Sequence, residues 1–446
     1  MKKSIVFLFF FIGFYITAIG QNCGDNFLGT KTLYKSNNQK YTDAPTGYSP
    51  VFINHVGRHG ARHLTKEVKT TLAYKLLFEA DSAAALTAEG KKLKSMLIAL
   101  QKVEKGSTKF ISAEGKDELA GLGTRMYLNY SSIFNGKVNL NEGITKEVRT
   151  KQSADAFLSG LKKSLKDSAV VNEYNDDTDL RFYDLSPGYK KFENSIDDSE
   201  LMLSLQKAAR LEEINNRLIN GVFSSEFVKK LSESTRAKFV SDLFGFAAVV
   251  YSLDAEIKQN GFTADDLDFK SFFTCEELKR LADLDAADEN LKKGPGTNSN
   301  GIQVRIAVPL LVNFINTTDA FIKDQKYNAE LRFAHAETIA PFAALLQIST
   351  ADKATTNGAE LTRAWDAAKV ICLGSNIQWV FYKNPDSQNY LVKVLLNEQE
   401  VKITGLHTDS FPYYQWRDLR SFYMAKLNKM GVRLTDDMKE YLVNLK

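Results

Sequence analysis

The chain has 446 residues, 44% hydrophobic and 25% charged, with a formal net charge of +4. This composition excludes a disordered or fibrous protein, and the length suits two structural units with ample cores. A charge so near neutrality also excludes binding nucleic acid by bulk electrostatics, so any attraction for an anion has to be local.

Lys2 and Lys3 precede an apolar run over 5–19, and small residues, Ala18 and Gly20, close it. This is the pattern of a secretory leader over 1–20, with cleavage before Gln21. The run is short for a membrane span and no basic stop-transfer patch follows, so no integral membrane segment is expected after cleavage. Gln21 and Asn22 stand where a lipid-attachment box would precede Cys23, so lipidation is not expected. Loss of the two lysines takes the net charge from +4 to +2. Export to periplasm, vesicle or medium permits a disulfide among Cys23, Cys275 and Cys372, but an odd number fixes no pairing. The three cysteines also lack the clustered spacing of a zinc site.

The first strong element is the apolar run Val51-Phe52-Ile53 with Asn54-His55-Val56, after the turn at Ser49-Pro50. It reads as a buried strand running into Gly57-Arg58-His59-Gly60-Ala61-Arg62-His63, where two glycines allow a tight turn. Helical spacing follows in Leu93, Met96, Leu97 and Leu100, and in Leu119, Leu122 and Met126. A third helix, predicted to begin near Ser153, carries Ala154, Phe157, Leu158, Leu161 and Leu165, with Arg149 just before it. From about 160 to 300 the chain reads as almost wholly helical. Leu201, Leu205 and Leu211 lie in one predicted segment, 239–257 forms another and 275–291 a third. The stretch 292–301 is the clearest loop; it ends the insert or lies as a flap beside the pocket. Strand character returns at Leu331 and Phe333 and ends at His335, before a helix with Pro341 in its first turn. Further strands are predicted over 377–382 and 390–396, with a turn near Asn397. Strands at both ends with helices between predict an α/β domain over 21–158 and 300–446, interrupted by a helical cap over 159–299.

Cleaving a phosphate ester needs charge neutralisation, a nucleophile and a proton for the leaving oxygen. Arg58, His59 and Arg62 supply two planar guanidinium forks and one imidazole at the end of a buried strand, where α/β proteins bind ligands. For an isolated Arg-His pair a basic surface turn would be the better reading; the strand, the glycines and the second arginine reverse that. His335 and Glu337 are two apart, so on a continuing strand they enter one site together, imidazole toward phosphate and carboxyl toward the leaving oxygen. Equally, Glu337 serves as a helix-start acid favouring the dipole. Arg149 could reach a phosphate held at a strand end, but taken alone an arginine before a helix is more often a solvated charge.

Together these residues resemble the histidine acid phosphatase family. The Arg-His-Gly-x-Arg box at 58–62 is its most specific motif. Arg149-Thr150-Lys151-Gln152-Ser153-Ala154 with Phe157 and Gly160 is similar to its later arginine and Ser-Ala helix. His335-Ala336-Glu337 and Asn376-Ile377-Gln378 resemble the multiple inositol polyphosphate phosphatase branch, most other members having His-Asp at the first of these. The resemblance runs patchily over 48–420. It implies a phosphoglycerate-mutase-like fold, a mixed, mostly parallel sheet flanked by helices with an inserted helical cap. It implies a phosphohistidine at His59, phosphate binding by Arg58, Arg62, Arg149 and His335, and proton donation by Glu337. It implies inositol hexakisphosphate and lower inositol phosphates as substrates, with no metal and no cofactor. Leu64 stands where the family usually has proline, and Ala336 shifts the acid by one residue relative to the His-Asp form.

Three other readings compete. His55, His59 and His63, spaced by four, could ligate a metal on a helix, but Gly57 and Gly60 oppose a helix and Arg58 and Arg62 would repel a cation. A non-catalytic inositol-phosphate binder would not need every catalytic position filled. A mutase-like role suits a cytosolic chain rather than an exported one. His55 reads as a histidine buried in the strand, and His407 as structural or exposed.

Overall fold

The computed structural model describes residues 23–25, 27–36, 40–165 and 168–446, so the leader expected over 1–20 lies outside the described residues. Eight strands build one sheet: β1 (Ser49–Arg58), β2 (Asn139–Ile144), β3 (Val170–Asn175), β4 (Ala329–Ala334), β5 (Asn376–Lys383), β6 (Tyr390–Leu396), β7 (Gln399–Glu400) and β8 (Tyr413–Gln415). Their order is β3-β2-β4-β1-β5-β6-β7, with β8 on β6. The half from β3 to β1 is parallel and the half from β5 onward is antiparallel, so the mixed sheet flanked by helices expected from the sequence is present.

Alternation along β1 decides which layer each residue joins. Phe52 and Val56 enter a core with the helices Val308–Asp324, Ala336–Leu345 and Trp416–Lys429. Ile53 enters the core on the opposite face, with the helices Ala113–Asn129 and Val148–Lys162. Fully burying each such side chain contributes about 1.5–3 kcal/mol. A third apolar cluster is built mainly from helices. It joins the helices Leu211–Val222 and Glu233–Val249 to Leu72–Ser82 and Ala88–Val103, so chain from before the predicted cap segment shares that core. Among the described residues, no helix is long and apolar enough to cross a membrane.

Several local expectations change. β3 interrupts the stretch read as helical; it is an edge strand with no buried residue, so it carries no apolar run to betray it. Leu201 and Leu205 lie in the helix Glu200–Ala208, while Leu211 starts another, because Arg210 between them is left-handed at φ 54°. The segment 239–257 divides at Leu253 into Glu233–Val249, a short 3-10 turn and Asp254–Gln259. Pro341 is the sixth residue of the helix Ala336–Leu345 rather than part of its first turn, so the Glu337 carbonyl has no i+4 amide donor. The loop after Lys293 is pinned down. Gln303 Nε2 donates to the carbonyls of Pro295 (3.1 Å) and Asn298 (2.7 Å), and the Gly296 amide donates to Asn290 Oδ1 (3.0 Å). The cysteines pair Cys23 with Cys275, leaving Cys372 free and buried.

Candidate active site

Three neighbouring parallel strands carry the candidate residues to one edge of the sheet. Arg58, the last residue of β1, lies in register with Ala334, the last of β4, and the His59 amide extends the ladder by donating to the Ala334 carbonyl (3.0 Å). His59 and His335 therefore leave adjacent strand ends side by side, their ring centroids 5.7 Å apart. β2 pairs with the other edge of β4 and delivers Thr145, Glu147 and Arg149 beyond its own end. Carboxyl ends of parallel strands, where strand order departs from chain order, are where open α/β sheets bind ligands.

The loop after β1 is held by close packing, not by a glycine-only turn. Neither Gly57 nor Gly60 has positive φ. A Cβ on Gly60 would meet the Gly115 carbonyl at 2.6 Å, and one on Gly115 would meet the Ala61 carbonyl at 2.0 Å. The helix Ala113–Asn129 thus presses directly on the loop and places Glu118 beneath it. The Glu118 carboxylate accepts from the Ala61 amide (2.7 Å) and from the Tyr34 amide (2.7 Å). Burial pushes its pKa up to about 7 despite those two hydrogen bonds. Ser153 Oγ accepts from the Gly60 amide (3.2 Å) and donates to the Arg149 carbonyl (2.7 Å), linking the two arginine-bearing segments. Glu118→Ala strands two amides and is expected to cost on the order of 2–5 kcal/mol. The shift of the urea midpoint measures this; an unchanged midpoint would show that the loop does not depend on Glu118.

His59 is buried, and its Nδ1 lies 2.9 Å from the Gly60 carbonyl. A carbonyl only accepts, so this contact puts the proton on Nδ1 and leaves the Nε2 lone pair free. Burial, then the charges of Arg58, Arg62 and Arg149, holds its pKa well below the ordinary histidine value. The imidazole is therefore neutral and nucleophilic well into acid.

The three arginines are anchored at one end and unpartnered at Nε. Arg58 Nη1 donates to the carbonyls of Thr30 (2.6 Å) and Ile371. Arg62 Nη1 donates to the His63 carbonyl (3.0 Å). Arg149 Nη1 pairs with Glu147 (2.8 Å) and its Nη2 donates to His335 Nδ1 (3.2 Å). The buried Nε of each has no protein acceptor. Arg236, Arg305 and Arg332 share that last feature elsewhere, but only Arg58, Arg62 and Arg149 converge on one imidazole. Burial, then repulsion from Arg58 and Arg149, lowers the Arg62 pKa to about 10. Buried like charges are costly unless an anion compensates them.

Two expectations about placement change. Arg149 is not ahead of a helix but in the first turn of Val148–Lys162, which begins before Ser153. β4 does not continue through Glu337. It ends at Ala334, His335 is the extended residue capping the next helix, and Glu337 is in that helix's first turn. Both side chains still reach the site, Glu337 a third exposed and ion-paired to Lys293 (3.1 Å). Burial alone would raise the Glu337 pKa, but Lys293, His335, its own amide and Arg58 hold it below the usual carboxylate range. Arg149 can only donate, so His335 Nδ1 accepts and its Nε2–H donates to Thr145 Oγ1 (3.1 Å). Both ring nitrogens of His335 are thus already engaged. Burial, then Arg149, lowers its pKa to about 3.

Sequence reasoning missed Lys293, Glu147, Thr145 and Glu118. Glu147 bridges Arg149 and Arg181, the second at 2.6 Å. Only Glu118 left a trace in the sequence, as an acid on the apolar face that also carries Gly115 and Leu122.

His55, His59 and His63 point into three different surroundings. His55 packs against Phe157 (5.4 Å) and Phe333 (5.7 Å), and His63 meets Glu104 (3.2 Å). Among the described residues, no three His, Cys, Asp or Glu side chains are placed to hold a metal ion. His407 is exposed beside Asp409. A surface groove of about 570 Å³ lined by Leu203, Arg210 and Glu233 includes none of the candidate residues.

A neutral imidazole with a free nitrogen, ringed by guanidiniums at an α/β switch point, defines a protein equipped to hold an oxyanion against a nucleophile. Residues 51–397 match the model of the histidine phosphatase superfamily (branch 2), and the chain belongs to that family. No curated protein matches the sequence significantly. Among solved structures, the multiple inositol polyphosphate phosphatase of Bifidobacterium longum in complex with inositol hexasulfate superposes with a TM-score of 0.76 at 20% identity. That match covers 89% of this chain and 97% of the other. The phytase of D. castellii gives 0.63 at 16% identity, over 94% and 91% of the two chains. Hafnia alvei phytase in complex with myo-inositol hexakis sulphate gives 0.52 at 12% identity, over 87% and 98%. At these identities the likeness is one of fold.

Proposed function

We propose that this protein hydrolyses phosphate monoesters of inositol polyphosphates through a phosphohistidine at His59. The observation that carries the reading is the gathering of three guanidiniums, each with a buried, unpartnered Nε–H, whose charges all act on one neutral imidazole. In the proposed sequence, Arg58, Arg62 and Arg149 bind the scissile phosphate, and Arg149 turns from His335, whose freed Nδ1 then takes up a proton and donates to the anion. His59 Nε2 attacks phosphorus, the bond to the inositol oxygen breaks, and Glu337 gives that oxygen a proton. Water then attacks the phosphohistidine, Glu337 takes back a proton, and inorganic phosphate leaves. That the two solved relatives above are complexes with inositol hexasulfates supports this substrate class.

Export of the mature chain from residue 21 is part of the proposal, supported by the leader-like start and by the disulfide joining Cys23 to Cys275. So is the division into an α/β unit and a helical cap centred on 159–299, with the helices over 72–103 sharing the cap's core.

The test is phosphate release from inositol hexakisphosphate with and without a chelator. Release at an undiminished rate in the chelator is expected, since every step above uses side chains of this chain. Loss of activity that added metal restores would return the histidine-cluster reading. Tight binding without release at acidic or neutral pH would return the binding-protein reading.

A further inference from the structure

Glu337 presents a conflict. A proton donor must carry its proton when the leaving oxygen departs, yet in the free enzyme this carboxyl faces an ammonium. Lys293 Nζ lies 3.1 Å from Glu337 Oε1 and 2.9 and 2.7 Å from the two Glu289 oxygens. We propose that Lys293 is a positioning residue that holds the Glu337 carboxylate in the free enzyme and yields it to bound phosphate. The acid then takes up its proton only with substrate in place. The inference rests on the proton-donor role given to Glu337 above.

The geometry favours such an exchange. Lys293 is the last residue of the helix Cys275–Lys293, buried and fixed by the pinned turn that follows. One ammonium between two carboxylates leaves the trio with net negative charge beside the arginines. A phosphate group with nearly two negative charges competes for Lys293 and offsets Arg58, and both effects favour the protonated carboxyl. The proton enters from solvent on binding, passes to the leaving oxygen, and leaves Glu337 ionised, the form that then deprotonates water.

The other groups around Glu337 do not substitute for Lys293. Arg58 and Arg62 come from the β1 loop and His335 from its own helix cap. Tyr183 stands on one neighbouring helix, and Tyr189 and Glu193 on the next. Of these the two arginines bind phosphate in the proposed reaction, His335 is neutral in the free enzyme at ordinary pH, and the tyrosines and Glu193 carry no positive charge.

The experiment compares wild type, Lys293→Met and Lys293→Arg by pH profiles on inositol hexakisphosphate. Lys293 depresses the acid's pKa in the free enzyme, so removing it moves the alkaline limb of kcat/KM upward by about one to three pH units. The kcat limb, set with phosphate bound, moves much less, and Lys293→Arg restores the wild-type profile. Binding of inositol hexasulfate, which does not itself titrate, supplies a readout without turnover. In calorimetry across buffers of different ionisation heat, wild type takes up a proton fraction that is reduced in Glu337→Gln and in Lys293→Met. Coincident profiles and equal uptake in folded Lys293→Met, or a uniform fall in kcat/KM at every pH, overturn the role of Lys293 while hydrolysis through His59 stands. Absence of phosphate release from wild type defeats instead the reading on which it rests.

Discussion

His59→Ala is expected to abolish phosphate release from inositol hexakisphosphate, a loss on the order of 10⁴–10⁶-fold, while binding of the substrate stays largely intact. In the proposed reaction the imidazole supplies the electron pair that forms the new bond to phosphorus, and no neighbouring side chain can replace it. His335 has both nitrogens engaged by Arg149 and Thr145, and His55 is packed between Phe157 and Phe333. The alanine variant keeps the guanidiniums, so removing the neutral ring leaves the charge that attracts the anion. Quenching wild type during turnover should trap phosphate on His59, stable in base and labile in acid, as a phosphorus–nitrogen bond requires. Label on any other residue, or turnover by the alanine variant near the wild-type rate, would remove the nucleophile from this account.

Glu337→Gln should lower kcat/KM, which reports phosphoryl transfer to His59, by about 10²–10⁴-fold for inositol phosphates and far less for an activated aryl phosphate. An inositol alkoxide is a poor leaving group and needs a proton as its bond to phosphorus breaks. A nitrophenolate departs unaided. Glutamine keeps the size of the side chain but carries no transferable proton, so the ratio of the two rates isolates proton donation from packing. An equal fall in kcat/KM for both substrates would mean that Glu337 acts by holding Lys293 or the phosphate and not as the acid. The same variant should lose the ability to take a proton from water in the second step, so phosphohistidine should persist longer whichever substrate formed it.

The candidate site residues were legible in the chain because each sits at a strand end or in a compact motif. An apolar run ending in Arg58-His59-Gly60-Ala61-Arg62 declares both a buried strand and the ligand edge of a sheet. The alternation at 331–334 does the same for His335. What these motifs left undetermined was orientation. A spacing of two puts His335 and Glu337 on one side only if the strand continues. Instead the chain turns helical at Ala336, and Glu337 reaches the site from a helix's first turn. The glycines were visible too, but their purpose was not: Gly60 admits the helix Ala113–Asn129 against the loop and Gly57 leaves room for the His55 ring, and neither serves a positive φ.

By itself, the sequence determined the family, the strand that ends at His59 and the arginines, because short-range patterning and motif chemistry are local properties. Only the tertiary structure decided that Lys293 meets Glu337, that Glu118 holds the loop from below, and that Glu147 bridges Arg149 and Arg181. Lys293 and Glu337 are far apart in the chain, and an isolated lysine before a Gly-Pro turn looks the same whether solvated or buried. Its partner exists only once the helix Cys275–Lys293 packs against the helix Ala336–Leu345. The edge strand β3 and the Cys23–Cys275 bridge escaped for the same reason. Neither has a local pattern, and each is specified by a partner supplied by distant chain.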